Sequence, residues 1–343
     1  MRGRSPMADR ASALTAFLAV AGWSQAERRH LAGDASDRRY ERLRLGAATA
    51  VLMDNPPGGA DDPAAFSVMA HHLRDLGLSA PAILAKDLAQ GFLLLEDLGD
   101  DLFARLLQTD PTREADLYAP AVDVLLHLQT APPPPDLADL AARDWAVAAQ
   151  FSLDWYAFAA TGKMPDATSF LDTLTGLLKT HADGPRVLIL RDYHAENLLW
   201  LPGREGLKRV GLLDFQLGQS GQPGYDLVSL LQDARRDVRP ETEAAMIARF
   251  ATARGEDADS FAAHYATLGA QRALRILGVF ARLCLVAGKP QYLRLLPRVW
   301  GQLQQNLSHP ALAELRAICD VVLPPPTPDA LRKIEQQCPS PSR

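Results

Sequence analysis

Strand-forming runs in this chain are segregated. They crowd between residues 28 and 99, and the rest reads helical except for one patch between 187 and 215. That order excludes an alternating strand–helix repeat and predicts an α+β fold with two lobes. After an amphipathic helix over 11–23, "RRHLAGDASDRRYERLRL" and "TAVLMD" read as strands broken by a Gly/Asp/Ser turn and a Gly-Ala turn. Phe66, Met69, Ala70, Leu73 and Leu76 fall at helical spacing, and Gly77 ends that helix. "PAILAKDL" and "GFLLLEDLG" supply two more strands. The reading is a small antiparallel-sheet lobe over 1–97, a mainly helical lobe over 98–337 and a disordered tail over 338–343.

The second-half patch contains "LRDYHAENLLWLPGREGLKRVGLLDFQ", Leu190 to Gln216. Its strands are "RVLIL", "NLLWL" and "KRVGLLDF", the only ones expected beyond residue 99. A hairpin of the last two carries Asn197 at its start and Asp214 at its end, and Asp192 lies on the loop that feeds it. Asn and Asp oxygens are hard ligands suited to Mg²⁺. A separate, non-ligating Asp accepts a hydroxyl proton. Asp192-x-x-x-x-Asn197 followed by Asp214-Phe215 has the spacing used in protein-kinase phosphoryl transfer. Asp192 is therefore the expected catalytic base, and Asn197 and Asp214 the expected metal ligands.

With "GYDLVSLL" added, Asp192, His194, Asn197, Asp214 and Tyr225-Asp226-Leu227 resemble the aminoglycoside phosphotransferase and choline kinase superfamily. "LAGDASDRRYERL", "VLMDNPPG", "LLLEDLGD" and "GYDLVSLLQDARRD" are similar to bacterial kinases that phosphorylate N-acetylmuramate and N-acetylglucosamine at C1 during cell-wall recycling. The resemblance covers about residues 28–240. It implies a protein-kinase-like fold binding ATP and Mg²⁺ between two lobes, with a small sugar as acceptor. It also implies that Ser36 and Arg38, on the turn between the first two strands, contact phosphate, and that backbone near Glu96 and Leu98 reads adenine. In the helical lobe, Asp154 and Tyr156 are candidates to line a sugar pocket, and Arg235, with Arg236, to meet an acidic substituent such as a lactyl carboxylate.

Departures from the kinase pattern are equally visible. Met53 stands where a third-strand lysine is usual, and helix 62–77 has no glutamate. Another cation is needed; Arg38, Arg39 and Lys208 are the candidates. Leu190 replaces the usual histidine before the loop. His194 and Asp226 read as structural supports. Two rivals remain open: a kinase of aminoglycosides, choline or homoserine, and a nucleotide-binding pseudokinase.

Charge narrows the partners. Net charge is −5 with a pI near 5.9, and basic and acidic residues are interspersed, so nucleic acid is not expected as a partner. No apolar run reaches the ~18 residues of a membrane span. No obligate protein partner is evident. Cys284, Cys319 and Cys338, without C-x-x-C spacing, read as separate reduced thiols of a cytoplasmic protein.

Overall fold

A computed structural model describes residues 6–31, 38–58 and 62–339. Ser36 lies outside them. The chain forms two compact units: residues 1–111 with 196–218, and residues 112–195 with 219–343.

The first unit is built on five strands, β1 (Glu27–Leu31), β2 (Arg39–Leu45), β3 (Ala48–Asp54), β4 (Ile83–Asp87) and β5 (Phe92–Glu96), in the order β1-β2-β3-β5-β4, all antiparallel. The β2–β3 turn is made by Gly46 at φ +61°, as the Gly-Ala signal predicts. Helix α1 (Pro6–Val20) lays Leu14, Phe17 and Leu18 on Leu43, Ala50, Leu52, Phe92 and Leu94 of the sheet. These sheet residues alternate along each strand, which is why they share one face. Helix α2 (Pro63–Asp75) starts at Asp62, whose side chain accepts from the Ala64 amide. Gly77 follows it at φ +77°.

The hairpin of β7 (Leu198–Trp200) and β8 (Val210–Leu212) belongs to this unit rather than to the helical part, so the division departs from the boundary expected at 97/98. The reason is hydrogen bonding. The Trp200 amide donates to the Asp101 carbonyl (2.8 Å) and the Leu212 amide to the Ser79 carbonyl (2.9 Å). Ser79 Oγ donates to the Lys208 carbonyl (2.7 Å). Helix α3 (Phe103–Thr109) completes the unit.

The second unit contains helices α4 (Glu114–Leu128), α5 (Ala142–Ala149), α6 (Phe158–Thr161), α7 (Thr168–Leu177), α8 (Tyr225–Leu231), α9 (Pro240–Arg254), α10 (Ala258–Ala287), α11 (Leu296–Leu307), α12 (Ala313–Val322) and α13 (Pro328–Glu335). A strand absent from the sequence reading, β9 (Gln219–Gly221), pairs antiparallel with β6 (Val187–Ile189). "QSG" has no apolar alternation, so nothing in it signals a strand.

Helix α10 is the spine of this unit. It is approached closely at two glycines: a Cβ on Gly278 would sit 2.1 Å from the Phe151 carbonyl carbon, and one on Gly269 would sit 2.5 Å from Asn306 Oδ1. Cys284 on α10 is joined to Cys338 as a disulfide (Cα–Cα 5.3 Å), and Cys319 is buried and free. The expectation of three separate thiols is thus corrected. The signal was invisible because the two cysteines are 54 residues apart and meet only when α13 folds back onto α10.

Candidate active site

The loop after β6 is held by a buried carboxylate. Asp226, fully buried on the first turn of α8, accepts from the Leu190 amide through Oδ2 (2.6 Å) and from the Arg191 amide through Oδ1 (2.9 Å). Burial pushes its pKa up to about 7, against those two amides, which hold it down. Ser229 Oγ donates to the Arg191 carbonyl (3.1 Å), and Arg272 of α10 donates to Ser229 Oγ (2.9 Å).

Held this way, Arg191 takes φ +71°, a left-handed conformation unusual for an arginine. The Asp192 amide then donates back to the Leu190 carbonyl (2.9 Å), a tight turn that leaves the Asp192 side chain half-buried at its tip. Backbone strain of this kind costs on the order of 1–3 kcal/mol and persists only where surrounding contacts over-determine it. Here those contacts are Asp226 and Ser229.

Tyr193 and His194, next along the loop, are buried. Tyr193 donates its hydroxyl to the Ala121 carbonyl (2.8 Å). His194 Nε2 lies 3.4 Å from an Arg235 guanidinium nitrogen. Burial, with the Arg235 and Arg272 charges behind it, lowers the His194 pKa well below the ordinary value, so its imidazole is neutral at physiological pH. Both Asp226 and His194 are thus engaged within the second unit, Asp226 with the loop backbone and His194 beside Arg235.

In the first unit, the Leu213 amide donates to the Asn197 carbonyl (2.9 Å) and extends the β7–β8 pairing by one step. Asn197 and Asp214 therefore stand at the same end of the hairpin. Asp214 leaves the strand at φ +56°, a conformation Asp tolerates better than most residues. Phe215 then packs on Phe66 of α2 with ring centroids 4.9 Å apart.

Asp214 Oδ1 accepts from Gln216 (2.8 Å) and from Arg38 (3.1 Å). Arg38 is 5% exposed, while its neighbour Arg39 and Lys208 are exposed. Met53, opposite Tyr40 in the β2–β3 register, is buried. Of the three candidate cations, Arg38 is the one paired with the carboxylate.

Other expectations divide. Glu96 accepts from Arg204 (2.5 Å) and from the Ala82 amide (3.1 Å), and its own amide donates to the Ala82 carbonyl (2.8 Å). Tyr156 does not line a pocket. It is fully buried on a π-helical turn over Ser152–Ala157, with its hydroxyl donated to the Pro324 carbonyl (2.7 Å). Asp154, on the same turn, is half-buried and accepts from Gln150 (3.1 Å). Arg236 is likewise occupied, donating to Glu114 (2.9 Å) and to the Tyr118 hydroxyl (2.6 Å). Glu114 and Tyr118 carried no signal in the sequence, because they lie more than a hundred residues from the arginine they hold.

The phosphotransferase enzyme family matches residues 27–265, well over half the chain. The chain belongs to this family. It is 39% identical to the N-acetylmuramate/N-acetylglucosamine kinase of Caulobacter vibrioides, over 92% of this chain and 97% of that one. It is 33% identical to the Pseudomonas aeruginosa protein of the same name, over 89% of this chain and 92% of that one.

Solved structures of phosphotransferases share the fold. A choline/ethanolamine kinase family protein from Mesorhizobium loti superposes with a TM-score of 0.61 at 15% identity, over 95% of this chain and 99% of that one. A thermostable mutant of the aminoglycoside phosphotransferase APH(4)-Ia, in ternary complex with AMP-PNP and hygromycin B, superposes with a TM-score of 0.54 at 14% identity, over 89% of this chain and 98% of that one. The phosphotransferase fold here is α+β, with the five-stranded antiparallel sheet first and a mainly helical remainder. Among the described residues, no helix is long and apolar enough to cross a membrane.

Proposed function

We propose that this phosphotransferase moves the γ-phosphoryl of ATP to the anomeric hydroxyl of N-acetylmuramate or N-acetylglucosamine, in the cytoplasm, as a step of cell-wall recycling. The acceptor class rests on the curated relatives, whose printed names specify these two sugars. The chemistry rests on one observation: the buried Asp226 carboxylate clasps two consecutive amides and so sets Asp192 on a strained turn.

Asp192 accepts the proton of the attacking hydroxyl as the oxygen–phosphorus bond forms and the bond to the leaving ADP breaks. Asn197 and Asp214 are the residues that would hold Mg²⁺, and the donor set fits it. Both side chains offer hard oxygens, and both bonds to the Asp214 carboxylate fall on Oδ1, which leaves Oδ2 for a cation. When bound, the ion neutralises charge on the β- and γ-phosphates.

Arg38 takes the phosphate-pairing role of the missing third-strand lysine. It is the buried cation already beside Asp214, where Met53 offers no charge. Because the Glu96 amide is spent on Ala82, the backbone at Leu98 is the position left to read adenine. Asp154 is the remaining candidate for a sugar hydroxyl.

The test is ADP release from Mg-ATP with N-acetylmuramate, N-acetylglucosamine, glucose, kanamycin and choline in parallel, with phosphorus NMR of any product. A C1 phosphate on the amino sugars, abolished by Asp192→Asn, is expected. Turnover confined to kanamycin or choline refutes the acceptor. ATP binding with no turnover on any of the five refutes these acceptors, in favour of one outside the set or of a nucleotide-binding regulator. For Arg38→Ala, kcat/KM for ATP should fall at least tenfold; a value within twofold of wild type would show that another group carries the phosphates.

A further inference from the structure

A mostly polar cavity of about 260 Å³ opens in the helical unit. Helix α11 contributes Arg298, Gly301, Gln302 and Gln305, which are spaced three and four residues apart and so share one face. Gln232 caps α8, Asp237 lies in the segment 233–239 that follows, and Glu243 stands in the first turn of α9. None of these residues belongs to the proposed phosphoryl-transfer set. The volume lies below the roughly 300–1,000 Å³ of pockets for drug-sized ligands, which limits an occupant to about one sugar ring.

The bonds along the lining sort donors from acceptors. Arg298 forks onto Asp237 (2.6 and 3.0 Å) and donates to the Ala234 carbonyl (3.3 Å). Gln232 and Asn306 exchange side-chain amide bonds (3.0 and 2.8 Å). Gln302 donates its Nε2 to the Asp233 carbonyl (3.0 Å), and Gln305 its Nε2 to Glu243 Oε2 (3.4 Å). The Tyr265 hydroxyl donates to Glu243 Oε1 (2.9 Å). Every nitrogen-bearing side chain of the lining is thus engaged by the protein. The side-chain carbonyls of Gln302 and Gln305 accept no hydrogen bond among the described residues, so with the Glu243 carboxylate the lining offers a ligand oxygen acceptors. Two carboxylates, Asp237 and Glu243, face one guanidinium, Arg298, so the lining carries a net negative charge.

Gly301 adds an independent sign. It sits inside α11, where glycine is less favourable than alanine. Packing does not call for it, because a Cβ there would meet nothing within 4 Å, unlike the close approaches at Gly269 and Gly278. Its missing side chain leaves the cavity open. We propose that this cavity is a second ligand site, built for a small polyhydroxylated amine. Hydroxyls and an ammonium supply the donors that an oxygen lining calls for, and charge-assisted bonds to Glu243 are the strongest available there. The net negative charge disfavours an anion of the same size.

The experiment is isothermal titration calorimetry of the full chain without nucleotide, using glucosamine as the probe and glucose and glucuronate as its neutral and anionic counterparts. Saturable binding should weaken in the order glucosamine, glucose, glucuronate. Glu243→Gln keeps the shape and drops the charge, so it should weaken glucosamine about tenfold and glucose by less than about threefold. Gly301→Leu should abolish glucosamine binding while melting no lower than wild type, since leucine favours the helix and its Cβ meets no neighbour. The same variant should keep kcat/KM for N-acetylglucosamine within about twofold of wild type. No binding by wild type, or equal binding by wild type and Gly301→Leu, would overturn the proposal. Glucosamine competing with the acceptor, together with lost turnover in Gly301→Leu, would make the cavity part of the acceptor site and overturn it as well. Binding is read without turnover, so it stands or falls separately from the kinase reading.

Discussion

Glu114 should be the residue on which the 233–239 segment depends most. It lies in the first turn of α4 and is 2% exposed, and its carboxylate accepts from Arg236, from the Arg239 side chain and from the Arg239 amide. Removing it in Glu114→Ala leaves the Arg236 guanidinium with the Tyr118 hydroxyl as its remaining hydrogen-bond acceptor of the pair. Breaking a buried ion pair from one side costs about 3–5 kcal/mol. The Arg236 side chain keeps 20% exposure and Arg239 keeps 44%, so water recovers part of that. A loss of about 2–3 kcal/mol is the reasoned figure after that screening. At roughly 2–4 °C per kcal/mol, the melting temperature should fall by about 4–12 °C.

The pH dependence has a definite sign. Burial pushes the Glu114 carboxyl up, but hydrogen bonds from Arg239, Arg236 and Thr242 outweigh it and hold the group below its ordinary value. A carboxyl with a depressed folded-state pKa contributes stability above its unfolded pKa and loses it as pH falls through the folded one. The gap between wild type and Glu114→Ala should therefore be full at pH 7 and shrink on acidification below about 4.5. Differential scanning calorimetry across pH 3–8 measures both quantities. A variant melting within about 1 °C of wild type at pH 7 would refute the claim that this carboxylate fastens the segment.

Three further outcomes are expected. Asp226 has a folded-state pKa near 7, above the ordinary carboxyl value, so the folded protein binds the extra proton between about pH 4 and 7. Wild-type stability relative to Asp226→Asn should fall by up to about 1.4 kcal/mol per pH unit across that window and level off above it, while the variant loses activity at every pH; a flat difference in chemical denaturation would oppose this. Gly278→Ala gains about 1 kcal/mol of helix propensity but sets a Cβ 2.1 Å from Phe151 backbone that has no side-chain freedom with which to yield. Overpacking, at about 1–3 kcal/mol, should win, with a net loss of up to about 2 kcal/mol by urea titration; a stabilised variant would contradict the close approach. Finally, denatured unreduced protein should show one titratable thiol, Cys319, rising to three after reduction, and Cys338→Ser should destabilise by up to about 4 kcal/mol through the freed 54-residue loop; three thiols before reduction would rule out the pairing.

Much of this protein was legible along the chain. Alternating apolar residues announced the sheet, helical spacing announced α2, and Asp192, Asn197 and Asp214 stood out because each follows or precedes a strand that the same local pattern reveals. Those are properties of neighbours in sequence, set by the periods of 2 and 3.6 residues at which side chains return to one face. Even the loss of the third-strand lysine could be read at Met53. Which cation pairs with the Asp214 carboxylate could not. Arg38, Arg39 and Lys208 were equal candidates until folding brought residue 38 onto residue 214.

The same holds for Tyr156, which as a sequence is an aromatic two residues from an acid and as a structure is a core residue hydrogen-bonded to Pro324. It holds for Arg235 and Arg236, chemically identical neighbours of which one meets Glu114 and Tyr118 and the other His194. It holds for Cys284 and Cys338 as well. Local pattern determined which elements form and which residues could do chemistry, because it acts over a few residues. Partner choice among like side chains was decided by tertiary structure alone, because a charge or a hydroxyl finds its partner through space, and the chain's spacing carries no record of that distance.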